Sequence, residues 1–199
     1  MSKNYVSSVL TEPNGFTRGI EGPACDKNGV LYAVNYERQG TIGSVSPEGE
    51  CDVFVDLPAD SIGNGIRFHS NGDMFIADYT GHNILQVDMD TKSISVFSHE
   101  PRMNQPNDIA IAKNNTIYAS DPDWSNGTGQ IWKIDNQGNS ECLETGMGTT
   151  NGIEVSPDEK TLYVNESLQR NVWAYDILPD GSVNNKRLMI QFPDFNMDG

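Results

Sequence analysis

The chain has 199 residues, 36% of them hydrophobic, with 19 Gly and 10 Pro. This is a turn-rich composition on a chain long enough to bury a core, unlike that of a disordered or membrane-embedded chain. Its 28 acidic residues against 13 Lys and Arg give a formal net charge of -15, which repels nucleic acid and anionic membranes and sets both aside as partners.

Along the chain, the opening MSKNYVSSVL lacks the apolar stretch of a secretory signal, and no run approaches the roughly 20 apolar residues of a membrane helix. A cytoplasmic location is expected, and Cys25, Cys51 and Cys142, far apart and without CxxC pairing, read as reduced thiols. The first structured phrase is EGPACDKNGVLYAVN from Glu21, and it recurs as NGIRFHSNGDMFIAD from Asn64, NDIAIAKNNTIYASD from Asn107 and NGIEVSPDEKTLYVN from Asn151. Each is a short apolar strand, a polar turn and a second strand rich in Tyr, Phe, Ile and Val, hence a hairpin. A second hairpin follows each one: from Gly40, from His82, from Gly129 and from Arg170, with alternating apolar and polar residues around turns such as PEG, NQG and PDG.

Spacings of 43, 43 and 44 residues between the phrase starts, with four strands in each unit, are the signature of propeller blades. The expected fold is therefore all-β, a β-propeller of four-stranded antiparallel blades forming one domain over residues 1–199. Four blades end near residue 190 and QFPDFNMDG begins a fifth phrase, so the chain reads as an incomplete ring. Open blade edges of that kind give a route to self-association.

In a propeller the innermost strand of each blade lines the central channel, so equivalent positions converge on one axis. Here those positions are Glu21, Asn64, Asn107, Asn151 and, 47 residues further on, Asp198. Every one offers a side-chain oxygen, as a hard divalent cation requires, and none is His or Cys, which argues against a zinc site of the usual kind. The competing reading is that Asn-Gly and Asn-Asp are local turn formers.

The phrases EGPACDKNGVLYAVN, QPNDIAIAKNNTIYASD and NGIEVSPDEKTLYVN and the terminal MDG resemble successive motifs of the senescence marker protein/gluconolactonase family, also called regucalcin-like. The resemblance runs over essentially the whole chain. It implies a six-bladed propeller with a central divalent cation, Ca²⁺ first, with Zn²⁺, Mn²⁺ or Mg²⁺ as alternatives. The implied activity is hydrolysis of small lactones or other esters. By the same resemblance Glu21, Asn151 and Asp198 are metal ligands, and Asn107 lies at the metal or the substrate. Asp198 is then the catalytic carboxylate, while Asp108 faces the substrate, serves as an auxiliary acid or base, or has a local turn role. Asn64 is a substrate-binding or structural residue. Where many relatives carry Arg two residues before the Asn, this chain has Gln105, which argues against a strongly anionic substrate.

Other clusters give less. No GxSxG or Ser-His-Asp set is present, and His69, His82 and His99 fall in turns or at blade edges and read as exposed. The run SDPDWSNGTG, with Asp121, Asp123, Ser125 and Asn126, lacks the spacing of an EF-hand and reads as a loop over the channel mouth, where Trp124 is placed to touch substrate or to pack. The rival readings are a propeller that binds a cation or a partner without turnover, and an inactive fragment of such an enzyme.

Overall fold

Runs of β-branched and aromatic residues that alternate with polar ones, broken by tight turns, drive each repeat into a zigzag of antiparallel strands. The computed structural model describes residues 6–16 and 19–193, and in them sixteen strands form four sheets of four. The first sheet joins β1 (Glu21–Cys25), β2 (Leu31–Val34), β3 (Thr41–Val45) and β4 (Cys51–Asp56). The second joins β5 (Gly63–Phe68), β6 (Met74–Asp78), β7 (Asn83–Val87) and β8 (Ile94–His99). The third joins β9 (Ile109–Ile111), β10 (Ile117–Asp123), β11 (Thr128–Ile134) and β12 (Ser140–Met147). The fourth joins β13 (Thr150–Val155), β14 (Thr161–Glu166), β15 (Asn171–Ile177) and β16 (Val183–Gln191). Strands pair in chain order within every sheet, which is the blade plan expected from the repeat.

The turns repeat as closely as the strands. A residue with positive φ stands in the first turn at Gly29, Gly72, Asn115 and Glu159. Another stands directly before the third strand at Gly40, His82, Gly127 and Arg170, and another in the last turn at Gly49, Lys92, Gly138 and Gly181. Four of these twelve positions hold neither Gly nor Asn, so hairpin pairing imposes the left-handed conformation on whatever residue is there.

Sheets stack face to face through the two-residue period of their strands. In β6, Met74 and Ile76 pack towards the first sheet with Tyr32, Val34 and Ile42, while Phe75 and Ala77 pack towards the third with Ile117, Ala119 and Trp132. In β10, Tyr118 turns the other way and joins Leu162, Val164 and Tyr175 of the fourth sheet. Three cores thus lie between four sheets, and no sheet carries a core of its own. On the far side of the first sheet, Phe16 covers Gly43 and packs edge-on against Tyr36 with ring centroids 4.7 Å apart.

Candidate functional site

Neighbouring inner strands meet at the positions that open each repeat. Gly22 has φ +53°, and a Cβ there would lie 1.9 Å from the Asn64 carbonyl oxygen, so only glycine lets β1 approach β5 this closely. One step on, the Gly65 N–H donates to the Asn107 carbonyl at 2.7 Å, and a Cβ on Gly65 would run into Asp108. The Ile153 N–H points to the Asp108 carboxylate at 3.4 Å, which carries the contact on to β13. These contacts set the Glu21, Asn64, Asn107 and Asn151 segments side by side in chain order.

The strands are irregular at these points. Pairing shifts register between Glu21 and Ala24, between Gly63 and Ile66, and between Thr150 and Ile153. The Asn-Gly pairs at Asn64 and Asn151 therefore sit at bulges inside strands, and the local turn reading of those pairs does not hold. Such a bulge re-aims one side chain out of the alternation of its strand.

The side chains at these positions differ in freedom. Glu21 is exposed, Asn64 is half-buried and Asn107 is only 7% exposed, and none of the three side chains hydrogen-bonds another described residue. Asn151 donates its amide nitrogen to the Ser167 hydroxyl at 3.0 Å, which leaves its carbonyl oxygen free to accept or to ligate. A carboxylate and amide oxygens without competing partners fit a hard divalent cation. Among the described residues no three His, Cys, Asp or Glu side chains converge, since this donor set is largely amide. Asp198 lies outside the described residues.

Asp108 is not a free carboxylate. Arg67 of β5 pairs with it, Nη1 to Oδ1 at 3.2 Å and Nη2 to Oδ2 at 3.3 Å, and reaches Glu154 of β13 at 3.6 Å. Burial pushes the Asp108 carboxyl above the usual range, and the Arg67 charge acts against that push. These contacts tie β5 and β13 to the segment that leads into β9. Beside it a cleft of about 320 Å³ runs past Ile153 to Tyr163 and Val172 on the outer face of the fourth sheet. Gln105, in the place of the Arg of many relatives, is held by its backbone N–H, which donates to the Asp121 carboxylate at 2.6 Å.

The SDPDWSNGTG run divides. Asp123 accepts from the Ser125 hydroxyl at 2.6 Å and from the Asn126 amide at 2.6 Å, closing a turn on itself, with Trp124 half-buried beside it. Asp121 instead points into the protein and is fully buried. Of the histidines only His99 is exposed. His69 is half-buried and stacks on Phe75 at 5.1 Å, and His82 is half-buried at its turn position, a correction to the reading of all three as exposed.

Comparison with known proteins agrees with this architecture. A gluconolactonase of Zymomonas mobilis is 26% identical over 200 residues, which cover 86% of this chain and 56% of that protein, so the chain spans little more than half the length of its relative. Among solved structures, a gluconolactonase from Xanthomonas campestris superposes with a TM-score of 0.74 at 22% identity, covering 88% of this chain and 63% of that one. Regucalcin from Agrobacterium tumefaciens, a calcium-binding protein, gives 0.73 at 18% identity over 86% of this chain and 59% of its own. Virginiamycin B lyase from Staphylococcus aureus gives 0.68 at 18% identity, with 84% and 55% covered. Proteins of such different names share the propeller, so these likenesses speak for fold and not for chemistry. Residues 19–199 match the SMP-30/Gluconolactonase/LRE-like region, and the chain belongs to that family.

Proposed function

We propose that the chain carries part of the active site of a lactonase, which opens a small lactone by attack of water on the ring carbonyl beside a divalent cation, Ca²⁺ first. The observation that supports it most is the set of uncommitted oxygens at the inner edge of three sheets: the Glu21 carboxylate, the Asn107 amide and the Asn151 carbonyl oxygen left free by Ser167. With Asp198 these residues would hold the cation, and the chain's net charge of -15 favours its approach. When bound, such a cation supplies a Lewis acid that polarises the carbonyl and stabilises the negative charge growing on its oxygen.

The remaining roles follow from placement. Asn107 would orient the substrate as well as bind the cation, and Asn64 and Trp124 would border the same mouth. Asp198 would take the proton from the attacking water. Asp108 is the poorer candidate for that proton, because Arg67 occupies both of its oxygens and leaves neither free to face the attacking water. Its part would be to hold the inner strands and, with Arg67, to present a neutral pair to a neutral substrate.

The test is hydrolysis of a panel of aldono- and aliphatic lactones with Ca²⁺ present and after chelation. Turnover is expected to vanish on chelation, and Glu21→Gln and Asn151→Ala should each lower it by about 100-fold or more, the scale on which charge-stabilising groups act. Turnover indifferent to the chelator would refute the metal-assisted route. A second reading, cation binding without turnover, draws on the cleft that opens past Ile153 onto the outer face of the fourth sheet, where water has free access. Ca²⁺ binding without hydrolysis of any lactone would favour it.

A further inference from the structure

Three of the four sheets carry a buried carboxylate at or near the end of their second strand: Asp78 and Asp121, each 0% exposed, and Glu166, 4% exposed. These follow Asn64 and Asn107 by fourteen residues and Asn151 by fifteen. Each accepts from a side-chain amide near the start of its own third strand, Asn83 at 2.7 Å, Gln130 at 2.7 Å and Asn171 at 2.8 Å. Each also accepts from the loop leading into its own inner strand: Asp78 from the Ser61 hydroxyl at 3.0 Å, Glu166 from the Gly148 N–H at 2.7 Å. In the first sheet the same place is held by Asn35, fourteen residues after Glu21, whose side chain donates to the Gly19 carbonyl at 2.9 Å. The acid or amide at the end of the second strand is therefore a clasp on the lead-in loop.

Asp121 is the most heavily used of these clasps. Its carboxylate accepts from the backbone N–H of Asn104 at 2.8 Å and of Gln105 at 2.6 Å, from Gln130, and from the Trp132 indole N–H at 3.0 Å. Only Pro106, with its fixed φ, separates the clasped Gln105 from Asn107. The Asp121 N–H donates to the Thr150 hydroxyl at 3.1 Å, next in the chain to Asn151. A buried carboxylate with this many donors is worth keeping only if each is aimed, because removing the acceptor strands every donor out of water.

We propose that Asp121 is a positioning residue for the cation site, fixing the loop that presents Asn107 and bracing the strand that presents Asn151. The proposal rests on the cation reading above and adds to it a residue that touches neither cation nor substrate. Loss of an outer partner of this kind lowers metal affinity by about 10–100-fold.

The experiment titrates Ca²⁺ by calorimetry into the wild-type chain and into Asp121→Asn, Gln130→Met and Asp78→Asn. Asp121→Asn is expected to weaken binding by about tenfold or more, and Gln130→Met to weaken it in the same direction by less. Asp78→Asn removes an equally buried acid from the loop before Asn64, which is outside the proposed cation ligands, and should leave affinity within about twofold. Equal losses in Asp78→Asn and Asp121→Asn would mean general destabilisation and would overturn the role. If Asp121→Asn does not fold, Gln130→Met decides, and unchanged affinity there overturns it too. A wild-type chain that binds no Ca²⁺ removes the cation reading and this role with it, whereas wild-type binding that no variant alters removes the role alone. Amide hydrogen exchange gives a check without any cation: the Asn104 and Gln105 amides should exchange faster in Asp121→Asn, and unchanged protection would count against the clasp.

Discussion

Strands β10 and β14 are the second strands of adjacent sheets and carry matching sequences, IYASD and LYVNE. On the side facing the preceding sheet they are alike, with Ile117, Ala119, Leu162 and Val164 all 0% exposed. On the other side they part. Tyr118 and Ser120 are 1% and 0% exposed, while Tyr163 and Asn165 at the corresponding positions are half-buried. The fourth sheet lies against β10, and no sheet lies beyond β14 among the described residues. Strand sequence thus sets which side chains alternate, and the neighbouring blade sets how many of the two alternations are buried.

The strongest way to break that comparison is to shave equivalent residues on the two faces. Ile131 of β11 is 0% exposed between the third and fourth sheets, whereas Val172, at the same repeat position in β15, is half-buried on the outer face. Ile131→Ala should cost about 2–5 kcal/mol through lost burial and the cavity left behind, and Val172→Ala about 1 kcal/mol. Urea unfolding of the two variants measures the difference. Equal costs would mean that the outer face is covered in solution as fully as the inner one.

Tyr118 sharpens the comparison through pH. Its hydroxyl donates to the Gly181 carbonyl at 2.9 Å across the sheet interface, and burial, with Glu159 and Asp180 nearby, pushes its pKa from 10.0 up to about 12. A group whose pKa is raised by folding contributes stability that is complete below its unfolded value and is lost as pH rises through the folded one. Stability should therefore fall between pH 10 and about 12. Allowing for solvent screening, the Tyr118 share of that fall is about 2 kcal/mol, and Tyr118→Phe should remove it. An alkaline limb unchanged in Tyr118→Phe would show that the interface opens before the phenol ionises.

The repeat of hairpins was legible because a two-residue alternation and its turns are local properties, and the same repeat shows that Asn64, Asn107 and Asn151 correspond to one another. The bulges were not. Asn-Gly favours a turn and a bulge alike, and only the register of β5 against β6 and of β13 against β14 shows that Asn64 and Asn151 lie within strands. Arg67 was passed over because its partner Asp108 is 41 residues away and is brought near only when β5 packs beside β9. Asp121 was misread as a loop residue although the signal was present: Asp78, Asp121 and Glu166 recur at the same point of three repeats, each followed within nine residues by Asn or Gln. A repeat shows which positions correspond, but it does not say whether a polar residue turns inward, since that depends on the donors folding supplies.

The smallest expected effect concerns the loop that the Asp121 clasp holds. Arg102 lies over the Trp132 ring at 5.2 Å, held by Glu100 through Nη2 to Oε2 at 2.7 Å, while Lys186 lies over Trp173 in the fourth sheet at 4.5 Å with Glu144 beside it. The hydrogen bonds from Arg102 hold the Glu100 carboxyl down to about 2, well below its ordinary 4.5. A carboxylate with a depressed pKa contributes stability that is present above 4.5 and is lost as pH falls through about 2, so Glu100→Gln should flatten stability against pH in that window. The slope will be shallow, because Arg102 is 70% exposed and solvent and salt screen the pair. Raising the salt to 1 M should flatten the wild-type slope in the same way; a slope that survives both changes belongs to other carboxylates, and the Arg102 stack on Trp132 would then need no ion pair to hold it.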